Sequence, residues 1–159
     1  MKALTIHQPW ASFMAMGLKK IETRGRKCHI RERVAICAGK TTPAGHQQFL
    51  KSLYNFFNTH ISGDPEHKKF YKDFARLVGN RDNFITHLPL GAVVATADIV
   101  DCQPTERLRE TINPIEFALG NYEDGRFGWI MDNIKPLETP IPIIGKQGFF
   151  NIPDIEMAA

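Results

Sequence analysis

The chain has 159 residues, 43% hydrophobic and 23% charged, which suits a single soluble domain over 1–159 and excludes a disordered chain. The formal net charge of +3 is a mild basic bias that by itself names no partner. Three cysteines (Cys28, Cys37, Cys102), with no CxxC spacing and no leader peptide, exclude a disulfide framework and point to a reducing cytoplasm; no apolar run is long enough to span a membrane.

In chain order, the alternation of ALTIHQ predicts a strand over Ala3–Gln8. PWASFMAMG follows as a short helix, with Pro9 in its first turn and Gly17 in the left-handed position that ends it. Trp10, Phe13, Met14 and Leu18 form its apolar side, and on pattern alone Trp10 reads as a core residue. KKIETRG predicts a strand with Ile21 and Thr23 on one face and Lys20, Glu22 and Arg24 on the other. RVAICAGK, Arg33–Lys40, reads as a strand buried on both faces.

Residues 41–89 change character. Phe49, Leu50, Leu53, Phe57 and Ile61 recur at helical spacing, as do Phe70, Phe74, Leu77 and Val78, and Asp64 is placed to cap a helix opening at Pro65. These stripes predict a helical hairpin inserted between strands, its aromatic residues serving as core. LGAVVATADIVDC then predicts the strongest strand, Gly91–Cys102. TERLRETI and PIEFALG read as short helices, and GRFGWIMDNI as a strand over Gly125–Ile134. Pro136, Pro140 and Pro142 predict that the remainder breaks into edge strands and turns. Strands at both ends with helices between them predict an α+β fold built on a small, partly open β-barrel with peripheral helices.

The candidate chemistry is concentrated. Seven of the 20 Lys and Arg residues lie between Lys19 and Arg33, opposed only by Glu22 and Glu32, and such a patch attracts phosphate. Lys19 and Glu22 fall on opposite faces of a regular strand, so they converge only if Lys19 sits in the turn after Gly17. Asp98 interrupts a run otherwise fit for burial; the alternation favours a place on the solvent side, and an inward Asp98 needs a cation such as Lys19 or Arg24 beside it. The six histidines form no ligand cluster, so no metal and no cofactor is expected.

QPWASFMAMGLKKIETRGRK resembles the opening of the ASCH domain, the family named for homology to activating signal cointegrator 1: a QPW turn, a short helix, then G-x-K-x-x-E-x-R, filled by Gly17, Lys19, Glu22 and Arg24. GAVVATADIVDC, GNYEDGRFGWIMDN and GKQGFFN resemble later pieces of that family in the same order, with the 41–89 insert outside the likeness. The resemblance implies a PUA-like β-barrel that binds RNA or a nucleotide-like ligand in a pocket lined by Lys19, Glu22 and Arg24. Gln8, Trp10, Lys40, Arg126, Lys146 and Gln147 complete the expected binding set. Some small ASCH proteins remove the acetyl group of N4-acetylcytidine with a lysine, a threonine three residues later and a carboxylate on the central strand. Lys19 and Asp98 match the first and last, and Glu22 occupies the threonine's place. A hydrolase acting on a modified nucleoside or RNA, with Lys19, Glu22 and Asp98 as catalytic residues, is therefore the alternative to a binding module. A protein-interaction module using Tyr54, Phe56, Phe57 and Tyr71 of the insert is the third reading.

Overall fold

The computed structural model describes residues 1–41, 45–60, 65–78 and 88–155. Six strands form one sheet: β1 (Lys2–Ile6), β2 (Ile21–Arg24), β3 (Arg33–Ala38), β4 (Ala92–Pro104), β5 (Phe127–Pro142) and β6 (Phe149–Asn151), in the order β2-β5-β4-β3-β1-β6. All pairings are antiparallel except β1 with β3, which are parallel from Lys2–Val34 to Ile6–Ala38. The sheet curls on itself. Trp129 of β5 stacks on Phe149 of β6 with ring centroids 5.3 Å apart, although three strands separate β5 from β6 in the sheet order. Trp129 sits in the main core with Leu4, Ile36, Ile99 and Met131. The result is the partly open small barrel of an α+β fold.

The open side lies between the two edge strands. Pairing of β1 with β6 runs from Lys2 to Leu4 and stops there. The next carbonyl, Thr5 O, accepts a 2.8 Å bond from Arg24 Nη2 at the end of β2. A side chain thus spans the gap that backbone ladders leave.

Helix α1 (Trp10–Ala15) plugs one end of the barrel. It stops as its sequence predicts: Gly17 takes φ +74°, its N–H bonds to Met14 O, and the Leu18 N–H bonds to Phe13 O at 2.9 Å. Leu18 folds back onto the cluster that contains Phe13, so the turn delivers Lys19 to the barrel mouth just before β2 begins. Helices α2 (His46–His60) and α3 (Pro65–Val78) occupy the predicted hairpin, and Leu50, Leu53 and Phe74 pack with Phe13 and Leu119. Asp64 and Ile61, and the side chains of Phe57, Phe70, Leu77 and Val78, lie outside the described residues. Short helices α4 (Thr105–Leu108) and α5 (Pro114–Ala118) cover the β2 side, where Ile21, Leu108 and Tyr122 form a small cluster.

One expectation is corrected. The stretch with Pro136, Pro140 and Pro142 does not break up but continues β5 to residue 142, opposite β4. Its other neighbour, β2, reaches only Phe127–Ile130, so the proline-bearing half of β5 is an edge where a missing N–H costs no ladder bond. Bulges opposite Val93–Ala95, Thr96–Asp98 and Ile99–Asp101 take up the irregular register.

Candidate functional site

A cavity of about 380 Å³ opens between the end of β1, α1, β2 and the loop after α5. Lys19, Glu22 and Arg24 all border it, with Trp10 and Phe49 as an aromatic wall. Those two rings lie 5.1 Å apart, so α2 contributes directly to the wall. His7, Thr23, Leu119, Asn121 and Arg126 are among the other lining residues.

The floor is charged and buried. Lys19 is only 1% exposed. Its ammonium donates to Ile21 O and lies 3.8 Å from a Glu116 oxygen. Burial pulls its pKa below 10.5, while Glu22 and then Glu116 oppose the shift. Glu22 is 8% exposed and accepts a 2.7 Å bond from Arg24 Nε. Arg24 therefore has Nε on Glu22, Nη2 on Thr5 O, and its guanidinium 5.9 Å from the centre of the Trp129 ring. It is locked in place at the cavity edge.

Glu116 is a residue that the sequence reading missed. Asn113 caps α5 by accepting the Glu116 N–H at 2.8 Å, which fixes that helical turn. The Glu116 carboxylate then accepts the N–H groups of Lys20 (2.8 Å) and Ile21 (3.1 Å), anchoring the start of β2 beneath Lys19. The Tyr122 hydroxyl lies 3.4 Å from the same carboxylate, and burial followed by that negative charge raises its pKa. No local sequence signal marks Glu116, because its partners lie 95 and 96 residues away. His7, Phe49 and Asn121 were missed for the same reason.

The other expected residues fall in different places. Gln8 is fully buried and holds Ser12 and Pro89 O, so it shapes the turn before α1 and does not reach the cavity. Arg126 borders the cavity, with its guanidinium donating to Asn121 O and Thr23 O. Thr23, expected opposite Glu22, also borders the cavity at the strand end, and its hydroxyl accepts the Asn121 N–H at 3.1 Å. Lys40, Lys146 and Gln147 border a neighbouring groove that shares only His7 and Arg24 with the cavity.

Asp98 is the main correction. It pairs with Arg33 at 2.9 Å and accepts from Asn133 at 2.8 Å, and it borders neither the cavity nor the groove. The bulge between Thr96 and Asp98 and the Arg33–Asp98 register turn it toward β3 and β5, away from Lys19. Its expected cation exists, but it is Arg33. Tyr54, Phe56 and Tyr71 are half-buried, with the two tyrosine hydroxyls 3.1 Å apart. Among the described residues no cluster of His, Cys, Asp and Glu has the makings of a metal site, and no helix is long and apolar enough to cross a membrane. All three cysteines are buried and unpaired; burial pushes the Cys37 thiol up to about 11.

The curled six-stranded sheet with helices around it is the α+β fold that the resemblance implied. The sequence matches the ASCH domain over residues 4–141, and the chain belongs to that family. It is 24% identical over 151 residues, or 94% of this chain, to activating signal cointegrator 1 of Homo sapiens and equally to that of Mus musculus. The chain spans 22% of the length of those two relatives. Among solved structures, ASCH from Zymomonas mobilis is similar at 12% identity and a TM-score of 0.45, covering 89% of this chain and 72% of that one.

Proposed function

We propose that the cavity seats a nucleobase, making the protein a binding module for RNA or a nucleotide-like ligand. The observation that carries this reading is the combination of an aromatic wall, Trp10 and Phe49, with a floor that offers both a donor and an acceptor, Lys19 and Glu22. Base recognition needs both: stacking on a π-face and hydrogen bonds to a polar base edge. The volume lies in the range of small-ligand sites, about 300–1,000 Å³. Arg24 and Arg126 at the rim supply charge for a phosphate. Kinship with the ASCH domain supports the same class of ligand.

The test is calorimetric titration with nucleotides and short RNAs. Base–aromatic stacking is worth about 1–3 kcal/mol, so Trp10→Ala weakens binding by about 5- to 150-fold. Affinity unchanged by Trp10→Ala and by Lys19→Ala plus Arg24→Ala counts against the cavity as the site.

One observation favours a second reading, hydrolysis of an amide on a modified nucleoside. Lys19 faces the cavity with its pKa lowered by burial, as a lysine base working near neutral pH requires. Asp98 is too differently placed to assist it, which leaves Glu116, 3.8 Å away, and the negative charge of Glu22 to orient the ammonium. Incubation with N4-acetylcytidine separates the readings: turnover abolished by Lys19→Ala supports hydrolysis, and no turnover above blank leaves binding alone.

A further inference from the structure

The groove beside the cavity differs from it in charge balance, since the cavity holds Glu22 and the groove holds no acid. It is a depression of about 700 Å³ with four cations on its walls, Arg24, Arg26, Lys40 and Lys146, and no Asp or Glu. The cations come from four separate segments: the end of β2, the loop after it, the residue pair after β3 and the loop before β6. Arg26, Lys40 and Lys146 are exposed, and among the described residues none of the three has a carboxylate partner. Like charges gathered without counter-charges repel one another, so the arrangement is stabilised by an anion. The backbone adds to it. The N–H groups of the loop 145–148, which borders the groove, make no hydrogen bond among the described residues, and consecutive free N–H groups are a recurrent anion-binding element. At Gly148, with φ +71°, a β-carbon would stand 3.1 Å from Arg26 Nη2, so glycine lets that guanidinium lie close against the loop.

We infer that this groove carries the phosphodiester backbone of a single-stranded polynucleotide whose unstacked base occupies the cavity, with Arg24 and His7 at the junction of the two. The inference rests on the base-binding reading above and narrows it from a nucleotide-like ligand to a polymer. The commitment to a single strand follows from the cavity: a base seated against the Trp10–Phe49 wall is out of its stack, which a duplex resists and a single strand permits. The division of labour is the usual one for such ligands, phosphates setting affinity and position, the base edge setting selection.

The experiment uses single-stranded RNA pentamers of each base, and the matching RNA duplex, titrated against the full chain at several salt concentrations. In wild type, log affinity for the preferred pentamer falls linearly with log salt. Lys40→Ala plus Lys146→Ala removes two phosphate contacts; at a slope of about 0.7 per phosphate this flattens the dependence by about 1.4 and weakens binding about 25-fold at 0.1 M salt. Trp10→Ala weakens binding and leaves the slope as in wild type. A double lysine variant with wild-type affinity and slope overturns the groove, even where Trp10→Ala still weakens binding and the cavity stands. A flattened slope with no effect of Trp10→Ala overturns the seated base instead. Duplex bound as tightly as the single strand overturns the single-strand assignment.

Discussion

Two acid–base clusters sit on the same sheet and behave as opposites. Around Lys19 the charges are nearly inaccessible, and Glu22, Glu116 and a carbonyl surround one ammonium. Around Asp98 the pair with Arg33 is about a third exposed on each side and finds its remaining bonds at Asn133 and Thr96. The first cluster borders the cavity and the second lies outside it. Each holds an acid on a strand, Glu22 on β2 and Asp98 on β4, and what separates them is solvent access: ion pairing is consequential where water is excluded and nearly neutral where it is not.

The largest effect that tests this contrast is Glu116→Ala. It strips a buried lysine of one counter-charge and two β2 amides of their acceptor, and the expected loss is about 3–5 kcal/mol in urea unfolding. A loss below 1 kcal/mol would break the comparison. A smaller effect sharpens it through pH. Because the folded pKa of Lys19 lies below 10.5, the unfolded chain holds a proton that the folded chain lacks throughout the window between that lowered value and 10.5. The contribution of Lys19 therefore rises with pH across the window. The stability of wild type relative to Lys19→Met should climb toward pH 10.5, and a flat difference contradicts a desolvated ammonium. The smallest effect is Asp98→Ala, at about 0–1 kcal/mol near neutral pH. Asn133, then Arg33, hold the Asp98 carboxyl below its ordinary 3.8, so what stability it adds is present above 3.8 and disappears as pH falls through the lowered value. In acid the wild type and Asp98→Ala should converge.

How far the sequence could be read follows from the range of each interaction. The helical hairpin, α1 with its Gly17 stop, and β3 and β4 are legible because periodicity and turn chemistry act within a few residues. Even the placement of Lys19 in a turn before β2 is forced by a local rule, the alternation of side chains on a strand. The continuation of β5 through its prolines was hidden, because whether a proline is tolerated depends on which strand lies alongside, and β2 is over a hundred positions upstream. Glu116 was hidden for the same reason, and so was the choice of Arg33 as the partner of Asp98. Phe49 looked like any other core aromatic of its stripe until the fold set it against Trp10.

The bond from Arg24 to Thr5 O has a mechanical consequence. One guanidinium ties the end of β2 to the stretch of β1 beyond the reach of β6 and also faces the cavity, so an occupant that engages Arg24 strengthens the tie, and its binding free energy opposes separation of the two strands. Amide exchange along Ile21–Arg24, slowed in proportion to ligand concentration, would be the signature of that coupling.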